Sequence, residues 1–119
     1  MEIGLFIRYG KLVPGREAQA IELFEEATTY FTKKFERKVV TFFEPYLYMT
    51  SDREYETGFM IVKGPAPEIF RLMEEEAYLH LVQKATVLVD HFQVDLLVVG
   101  EGITTQLERA GKVHVELGI

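Results

Sequence analysis

The chain has 119 residues, 48% of them hydrophobic and 27% charged, and this balance predicts a single folded domain spanning residues 1–119. The formal charge of −6 disfavours a phosphate-binding surface, so nucleic acid is not an expected partner. The absence of cysteine excludes disulfides, thiolate nucleophiles and cysteine-ligated metal centres. Because the sequence contains neither an apolar run long enough for a membrane span nor a signal-peptide pattern, we expect a cytoplasmic location without a membrane partner.

The first predicted elements are a strand and a helix. Residues 3–9 alternate at period two, which predicts a strand whose odd-numbered side chains are buried. Pro14 and Glu17 suit the first turn of a following helix, because proline presets the backbone angle and a carboxylate favours the positive end of the helix dipole. Its buried stripe is predicted to contain Ile21, Phe24, Thr28, Phe31 and Phe35.

A second and a third strand are predicted to form a hairpin. Residues 39–49 are rich in β-branched and aromatic side chains, and Pro45 marks either an edge strand or a bulge. Residues 51–54 supply a polar turn, after which residues 57–62 alternate in the manner of a short strand.

A second helical region and a fourth strand follow. Residues 64–67 end the third strand, and apolar residues then recur at helical spacing as far as Val89. This pattern predicts one kinked helix or two consecutive helices, with a bend near Ala77. Residues 91–99 alternate strictly, which predicts a fourth strand whose even-numbered residues, all apolar from Phe92 to Val98, face the helices.

The C-terminal segment has two interpretations beyond its first turns. Thr105 and Glu108 fit a capping box that opens a short helix, which Gly111 could close. Residues 113–117 then alternate between apolar and polar side chains, so this tail is either a fifth, edge strand or an extended arm.

The order β-α-β-β-α-β predicts a ferredoxin-like α+β fold, with an antiparallel sheet of order 4-1-3-2 and both helical regions on one face. The other face would still carry Phe6, Met60, Leu97 and aromatic residues of the second strand. So much apolar surface favours a homodimer formed by packing two helix-free faces together, burying about 1,500 to 3,000 Å² in total.

Two segments carry a resemblance to a known superfamily. These are Val-Pro-Gly-Arg-Glu at 13–17 with Gln-Ala-Ile-Glu-Leu-Phe at 19–24, and the late stretch from Val89 to Gly102. They resemble small bacterial proteins of the dimeric α+β barrel superfamily, which includes antibiotic-biosynthesis monooxygenase-like, haem-degrading, muconolactone-isomerase-like and chlorite-dismutase-like proteins. The resemblance implies a homodimeric barrel that binds a small molecule, with cofactor-independent oxygenase or isomerase chemistry as one expectation. It assigns no cofactor.

Polar residues are predicted to gather at one mouth of this barrel. The antiparallel order brings the end of the first strand beside the starts of the third and fourth. The predicted ligand-binding residues are Arg8, Glu56, His91 and Gln93, with Tyr46 or Tyr48 as lids and Asp95 deeper. Pro45 leaves the register of the second strand, and so which of its side chains face the mouth, open. In the catalytic hypothesis, Arg8 holds a carboxylate or enolate oxygen and His91 moves a proton near neutral pH. The alternative is a rim ion pair between Arg8 and Glu56, with His91 starting a strand in contact with water.

Two further alternatives involve other parts of the chain. Glu76 and His80 are four residues apart on a helical face, which suits either two metal ligands or a solvated pair. The resemblance to haem-binding superfamily members makes His80 the candidate ligand for haem. In the remaining alternative the protein is a non-enzymatic assembly whose barrel is filled by side chains and whose tail, residues 112–117, attaches to a neighbouring copy.

Overall fold

The computed structural model describes residues 1–50 and 55–119, so the predicted turn at 51–54 lies outside the described residues. Within them the chain forms four strands and four helices. In chain order these are β1 (Glu2–Tyr9), α1 (Glu17–Glu36), β2 (Phe42–Leu47), β3 (Gly58–Pro65), α2 (Ala66–Met73), α3 (Glu76–Leu88), β4 (Gln93–Val98) and α4 (Glu101–Leu117).

The sheet has the order β2-β3-β1-β4 with antiparallel neighbours, which confirms the predicted 4-1-3-2 order and the ferredoxin-like α+β class. β1 lies in the centre, where Ile7 is opposite Met60 of β3 and Val94 of β4. Residues directly opposite each other share a face. Met60 therefore faces the helices and is buried, so its predicted position on the helix-free face is wrong, whereas its neighbour Phe59 does lie on that face.

The core lies between the sheet and the helices. Leu5 and Val62, which are opposite each other on β1 and β3, are completely buried together with Ile69 of α2. Each side chain of this kind contributes about 1.5 to 3 kcal/mol when it is removed from water. α2 packs across β1 and β3, while α1 and α3 pack against each other. Because α1 also contacts β2, where Phe31 packs on Phe43, the helices cover β1, β3 and β2.

The buried face of α1 is rotated from the predicted stripe. Ile21 and Phe35, which the stripe included, are each about half exposed. The residues of α1 that are actually buried are Ala20, Leu23 and Phe31. The prediction followed the largest apolar side chains, but alanine faces the core here because α3 lies against the same side of α1.

The helical region after β3 consists of two helices that meet at Glu74 and Glu75, earlier than the predicted bend near Ala77. Glu75 accepts hydrogen bonds from the Tyr30 hydroxyl at 2.6 Å and from the Lys34 ammonium at 2.7 Å. The hydrogen bond from Lys34, supported by the one from Tyr30, lowers the pKa of Glu75. The junction is thus held to α1 by a charged cluster.

The helices leave one end of β4 uncovered. Leu96 and Val98 lie on the helix-facing side, opposite Leu5 and Ile3 of β1, yet they are 52% and 38% exposed. The expectation that helices cover the whole apolar face of β4 is therefore wrong at this end. The cause is topological, because α2 packs on β1 and β3 and the chain leaves the sheet directly after β4.

The C-terminal segment is one continuous helix. α4 begins at Glu101, passes through Gly111 and ends at Leu117, where Gly118 adopts a left-handed conformation with φ of 70°. The predicted short helix closed by Gly111 and the predicted fifth strand or extended arm at 113–117 are both wrong. A glycine inside a helix costs only about 1 kcal/mol, whereas each further helical residue satisfies a backbone hydrogen bond that an unpaired strand would lack.

Among the helices of the described residues, none combines the length and the apolar character that crossing a membrane requires.

Candidate functional site

Most of the residues predicted at the barrel mouth do lie on the helix-free face. The strand registers place Gln93, Arg8, Phe59 and Tyr46 in one row across β4, β1, β3 and β2. The next row along begins with Asp95. The register uncertainty around Pro45 is therefore resolved, because Tyr46 lies directly opposite Phe59.

Arg8 forms an ion pair with Asp95, with 2.8 Å between Nη2 and Oδ2. Gln93 donates to both carboxylate oxygens of Asp95 at 3.1 Å, and the Arg8 guanidinium lies 5.1 Å from the centre of the Phe6 ring. The Nε atom of Arg8 is buried and has no hydrogen-bond partner among the described residues. One donor of this arginine is thus left available.

The predicted lids pack on Phe59. Tyr46 stacks on its ring at 4.7 Å and donates from its hydroxyl to Glu44, while Tyr48 lies 5.8 Å from the same ring. The Tyr48 hydroxyl donates to Glu56 at 3.2 Å, which links one lid to a predicted site residue. These aromatic contacts occupy the centre of the row instead of leaving an opening there.

His91 lies outside the strand in which it was predicted. β4 begins two residues later, and His91 has a left-handed backbone with φ of 52°. Its exposed imidazole packs edge-on against the ring of Tyr55, with 4.4 Å between the ring centres. The structure therefore gives His91 an aromatic neighbour at the end of the sheet.

A cavity of about 350 Å³ lies on the opposite, helix-facing side of the sheet. Protein interiors seldom contain voids much larger than a water molecule, so a space of this size distinguishes the region. Its walls are almost entirely apolar and come from β1, β3, α1 and α3, including Ile7, Met60, Phe24 and Leu81. Ile21 and Leu47 also line it and are exposed, so the cavity reaches the protein surface beside them.

Two tyrosines line the cavity, mainly through their rings. Tyr9 donates to the carbonyl oxygen of Tyr46 at 3.3 Å, and burial raises the pKa of Tyr9 to about 12. Burial also raises the pKa of Tyr78. Both phenols therefore remain protonated at neutral pH and do not act as bases. Gly58 makes room here, because a Cβ at this position would lie 2.9 Å from the Tyr9 hydroxyl.

His80 lies away from this cavity. It is exposed and lines a polar surface groove between α1 and α3 together with Gln83 and Lys84, whereas Tyr78, Leu81 and Ala85 of the same helix line the cavity. His80 therefore does not fit a haem ligand inside the cavity. Among the described residues, no three histidine, aspartate or glutamate side chains are grouped so that they could share a metal ion with the Glu76–His80 pair.

The sequence analysis missed the cavity because it searched for polar residues. The available signal was the set of small residues at core positions of the two helices that flank it. These residues are Ala20, Ala27 and Ala85. Alanines that face each other between layers leave volume unfilled, and the apolar stripe predicted for α1 passed over them.

The search of protein-family models found no match to this chain, and no curated protein matches it. Solved structures do. SnoaB, a cofactor-independent oxygenase from Streptomyces nogalater, was solved as a mutant that matches with a TM-score of 0.62 and 13% identity over 82% of this chain and 92% of that chain. A dabb family protein with a ferredoxin-like fold from Mesorhizobium loti matches with a TM-score of 0.61 and 16% identity over 83% of this chain and 97% of that chain.

A third similar structure is a dimeric protein of unknown function and ferredoxin-like fold from Bacteroides fragilis. It has a TM-score of 0.58 and 9% identity, and the match covers 80% of this chain and 93% of that chain. Sequence identities this low carry information about the fold and not about the reaction. These similarities support the ferredoxin-like fold, which this chain shares with an oxygenase and with proteins of unknown function.

Proposed function

We propose that the protein binds a largely apolar small molecule in the cavity between the sheet and helices α1 and α3. The observation that carries this proposal is the cavity itself, about 350 Å³ in volume and almost wholly apolar in its lining. Ligand-binding pockets typically begin at about 300 Å³, and their walls are mainly hydrophobic and aromatic. An opening beside exposed Ile21 and Leu47 would let such a ligand enter without unfolding the core.

The side chains that line the cavity indicate which class of ligand it would bind. Phe24, Phe31 and Phe92 provide aromatic surface, which favours a flat ring system through stacking and edge contacts. The described lining contains no charged side chain, so a charged group on the ligand would remain at the opening. A carbonyl or phenolate oxygen of the ligand would also lie at the opening, because the lining is almost wholly apolar and the Tyr9 hydroxyl already donates to the Tyr46 carbonyl.

Cofactor-independent oxygenation is the second candidate function, because SnoaB, which is described as such an oxygenase, shares the fold. In this reaction class O₂ takes its electrons from the bound organic substrate. Neither phenol of the lining is a base at neutral pH, so the substrate itself must ionise readily and release its proton to water at the opening. Oxygen consumption with aromatic ketones that carry an acidic CH₂ group tests this candidate.

We propose that two copies associate through their helix-free faces. The middle of this face is apolar and aromatic, with Phe6 5.3 Å from Phe59, and Ile61 and Leu97 also lie on it. A face of this kind is too apolar to remain in water on a stable monomer. The Bacteroides fragilis protein with this fold is described as dimeric, which supports the proposal.

The polar residues at the edge of that face form the second candidate binding site. In the proposed dimer, Arg8, Gln93 and Asp95 would lie at the mouth between the two sheets, with Glu56, Tyr46, Tyr48 and His91 around them. The unpartnered Nε of Arg8 supports this candidate, because a buried donor without a partner favours an incoming acceptor. That acceptor would be an anionic or carbonyl oxygen of a ligand or of the partner subunit.

The test of the cavity uses the neutral fluorescent probe N-phenyl-1-naphthylamine and the substitution Ala85→Phe. Ala85 is buried and lines the cavity, so a phenyl ring there should fill the space and abolish the rise in fluorescence that the wild type produces. Ala85→Leu should weaken probe binding about tenfold. This smaller substitution replaces Ala85→Phe in the test if the phenyl ring prevents folding. Ala77→Phe, on the exposed side of the same helix, is the matched control. Equal probe binding by all the variants would overturn the proposal.

A further inference from the structure

α4 packs less against the rest of the chain than the other helices do. Gly102 is its only buried residue, and Leu107 is 67% exposed. The radius of gyration is 16.9 Å, whereas a compact domain of this length has a value near 13 to 14 Å, so the chain contains a projecting part. An isolated helix of 17 residues is only marginally stable in water. α4 therefore lacks the packing that most helices obtain from their own domain.

The first turn of α4 packs against the sheet, whereas the remaining turns are exposed. A Cβ at Gly102 would lie 2.9 Å from Cγ1 of Val98 and 3.3 Å from the Met1 side chain, so the backbone is seated against the end of the sheet. Gly100, which precedes the helix, adopts φ of 58°. The seated first turn directs the remaining turns away from the sheet.

One side of α4 carries a narrow, mainly apolar stripe at alternating steps of four and three residues. The stripe consists of Ile103, Leu107, Ala110, His114 and Leu117, whereas the exposed Val113 and Val115 lie outside it. A stripe of this width is expected where two helices pack against each other. It is narrower than the apolar face of a helix that packs on a sheet. All the charged residues of α4 lie off the stripe, on the opposite side of the helix.

The stripe is nearly symmetric about its centre. Ile103 and Leu117 each lie seven residues from Ala110, and Leu107 and His114 lie three and four residues from it. A two-fold antiparallel pair requires this property, because residue i of one copy must contact residue j of the other and the reverse. Ala110 and the adjacent Gly111, which has no neighbouring atom within 4 Å of its Cβ position, allow close approach at the crossing point.

We infer that α4 pairs antiparallel with α4 of a second copy of this chain, crossing at Ala110. Ile103 then contacts Leu117 of the other copy, and Leu107 contacts its His114. The contact is separate from the helix-free face, so it adds to the proposed sheet-to-sheet association. Two helices of 17 residues bury less area than a stable interface needs alone, so the pairing strengthens an association that other contacts begin.

Disulfide cross-linking tests this inference directly, because the chain has no cysteine of its own. Under mild oxidation Ala110→Cys should form a covalent dimer at least tenfold faster than Lys112→Cys, the matched control on the charged side. Leu117→Cys alone should not cross-link to itself, since its two copies would lie about 20 Å apart along the antiparallel pair. A mixture of Ile103→Cys and Leu117→Cys should form the mixed dimer.

Leu107→Lys provides a second readout that does not depend on cysteine. Leu107 is exposed, so the fold should be retained, as circular dichroism would verify, while the dissociation constant for self-association rises at least tenfold in sedimentation experiments. Self-cross-linking at all three stripe positions would indicate a parallel pair and overturn the inference. Cross-linking no faster than the Lys112→Cys control would overturn it as well, even if Leu107→Lys weakened association, because α4 would then contact another surface such as Leu96 and Val98.

Discussion

The two faces of the sheet differ most at the end where β1 finishes. On the helix-facing side, Ile7 and Met60 border a cavity of about 350 Å³. On the helix-free side, one residue along each strand, Arg8 is paired with Asp95 and Phe59 is packed under two tyrosines. Alternate side chains of the same strands thus line a cavity on one face of the sheet and pack against one another on the other face.

In this protein, polar residues alone therefore do not locate a binding site. A pocket requires volume that side chains leave unfilled, and here the volume arises from alanines on α1 and α3. The helix-free face contains the polar side chains, but within one chain most of them pair with one another.

The largest effect is expected from Phe59→Asp on the helix-free face. Phe59 contacts Phe6, Tyr46 and Tyr48, so it is the central residue of the surface proposed to meet a second copy. A buried aspartate there should weaken dimerisation by about 100-fold or more, leaving a particle of 13.8 kDa in sedimentation velocity. Val87→Asp on the exposed surface of α3 is the control and should leave the mass unchanged. A wild type that sediments as a monomer would remove the basis of the proposed dimer.

The next effect compares two buried leucines. Leu5 is completely buried away from the cavity, and Leu5→Ala should lower the free energy of unfolding by about 3 to 4 kcal/mol. Leu81 borders the cavity, so its side chain already lacks neighbours on one side, and Leu81→Ala should cost only about 2 kcal/mol. Urea unfolding measures both values. Equal losses would mean that the space beside Leu81 is filled in solution.

The strand order and the fold class could be predicted from the sequence, because alternation and the order of elements leave few topologies. The registers then followed well enough to bring Arg8 beside Gln93, but the position of Tyr46 was left open by Pro45 and was determined by the structure. The course of α4 could not be predicted, since residues 113–117 alternate at period two and also fit a helix. Only the absence of a neighbouring strand decides between these two structures.

The cavity could not be predicted for a different reason. Periodicity identifies which side of a helix faces inward, but it does not report how far apart two layers lie. The separation depends on which residues meet, and Ala27 of α1 and Ala85 of α3 belong to different predicted elements with no defined contact. The pairing of Arg8 with Asp95 instead of its predicted partner Glu56 was also undetermined, because both carboxylates lie within reach of an arginine at the sheet edge.

A smaller effect is expected where α1 contacts the junction between α2 and α3. The Lys34 ammonium and the Tyr30 hydroxyl lower the pKa of Glu75 in the folded state, so its charge stabilises the fold above the ordinary glutamate pKa of 4.5. This contribution is lost as the pH falls through the lower folded-state value. Because the side chain is 35% exposed, Glu75→Gln should cost less than about 1 kcal/mol at pH 7. Unfolding measured from pH 7 to pH 2 should show a weaker acid dependence in this variant, and an unchanged profile would contradict the assignment.

The smallest effect concerns the ion pair between Arg8 and Asp95. Their side chains are 34% and 39% exposed in one chain, so a double-mutant cycle with alanine at each position should give a coupling of about 0.5 kcal/mol that declines with salt. If a second copy covers the helix-free face, the pair is more desolvated and its coupling depends less on salt than in the Phe59→Asp monomer. The cycle measured in both backgrounds therefore reports whether these polar residues belong to an interface. An identical coupling and salt dependence in the two would place the pair outside any contact between copies, leaving the cavity on the other face as the better site.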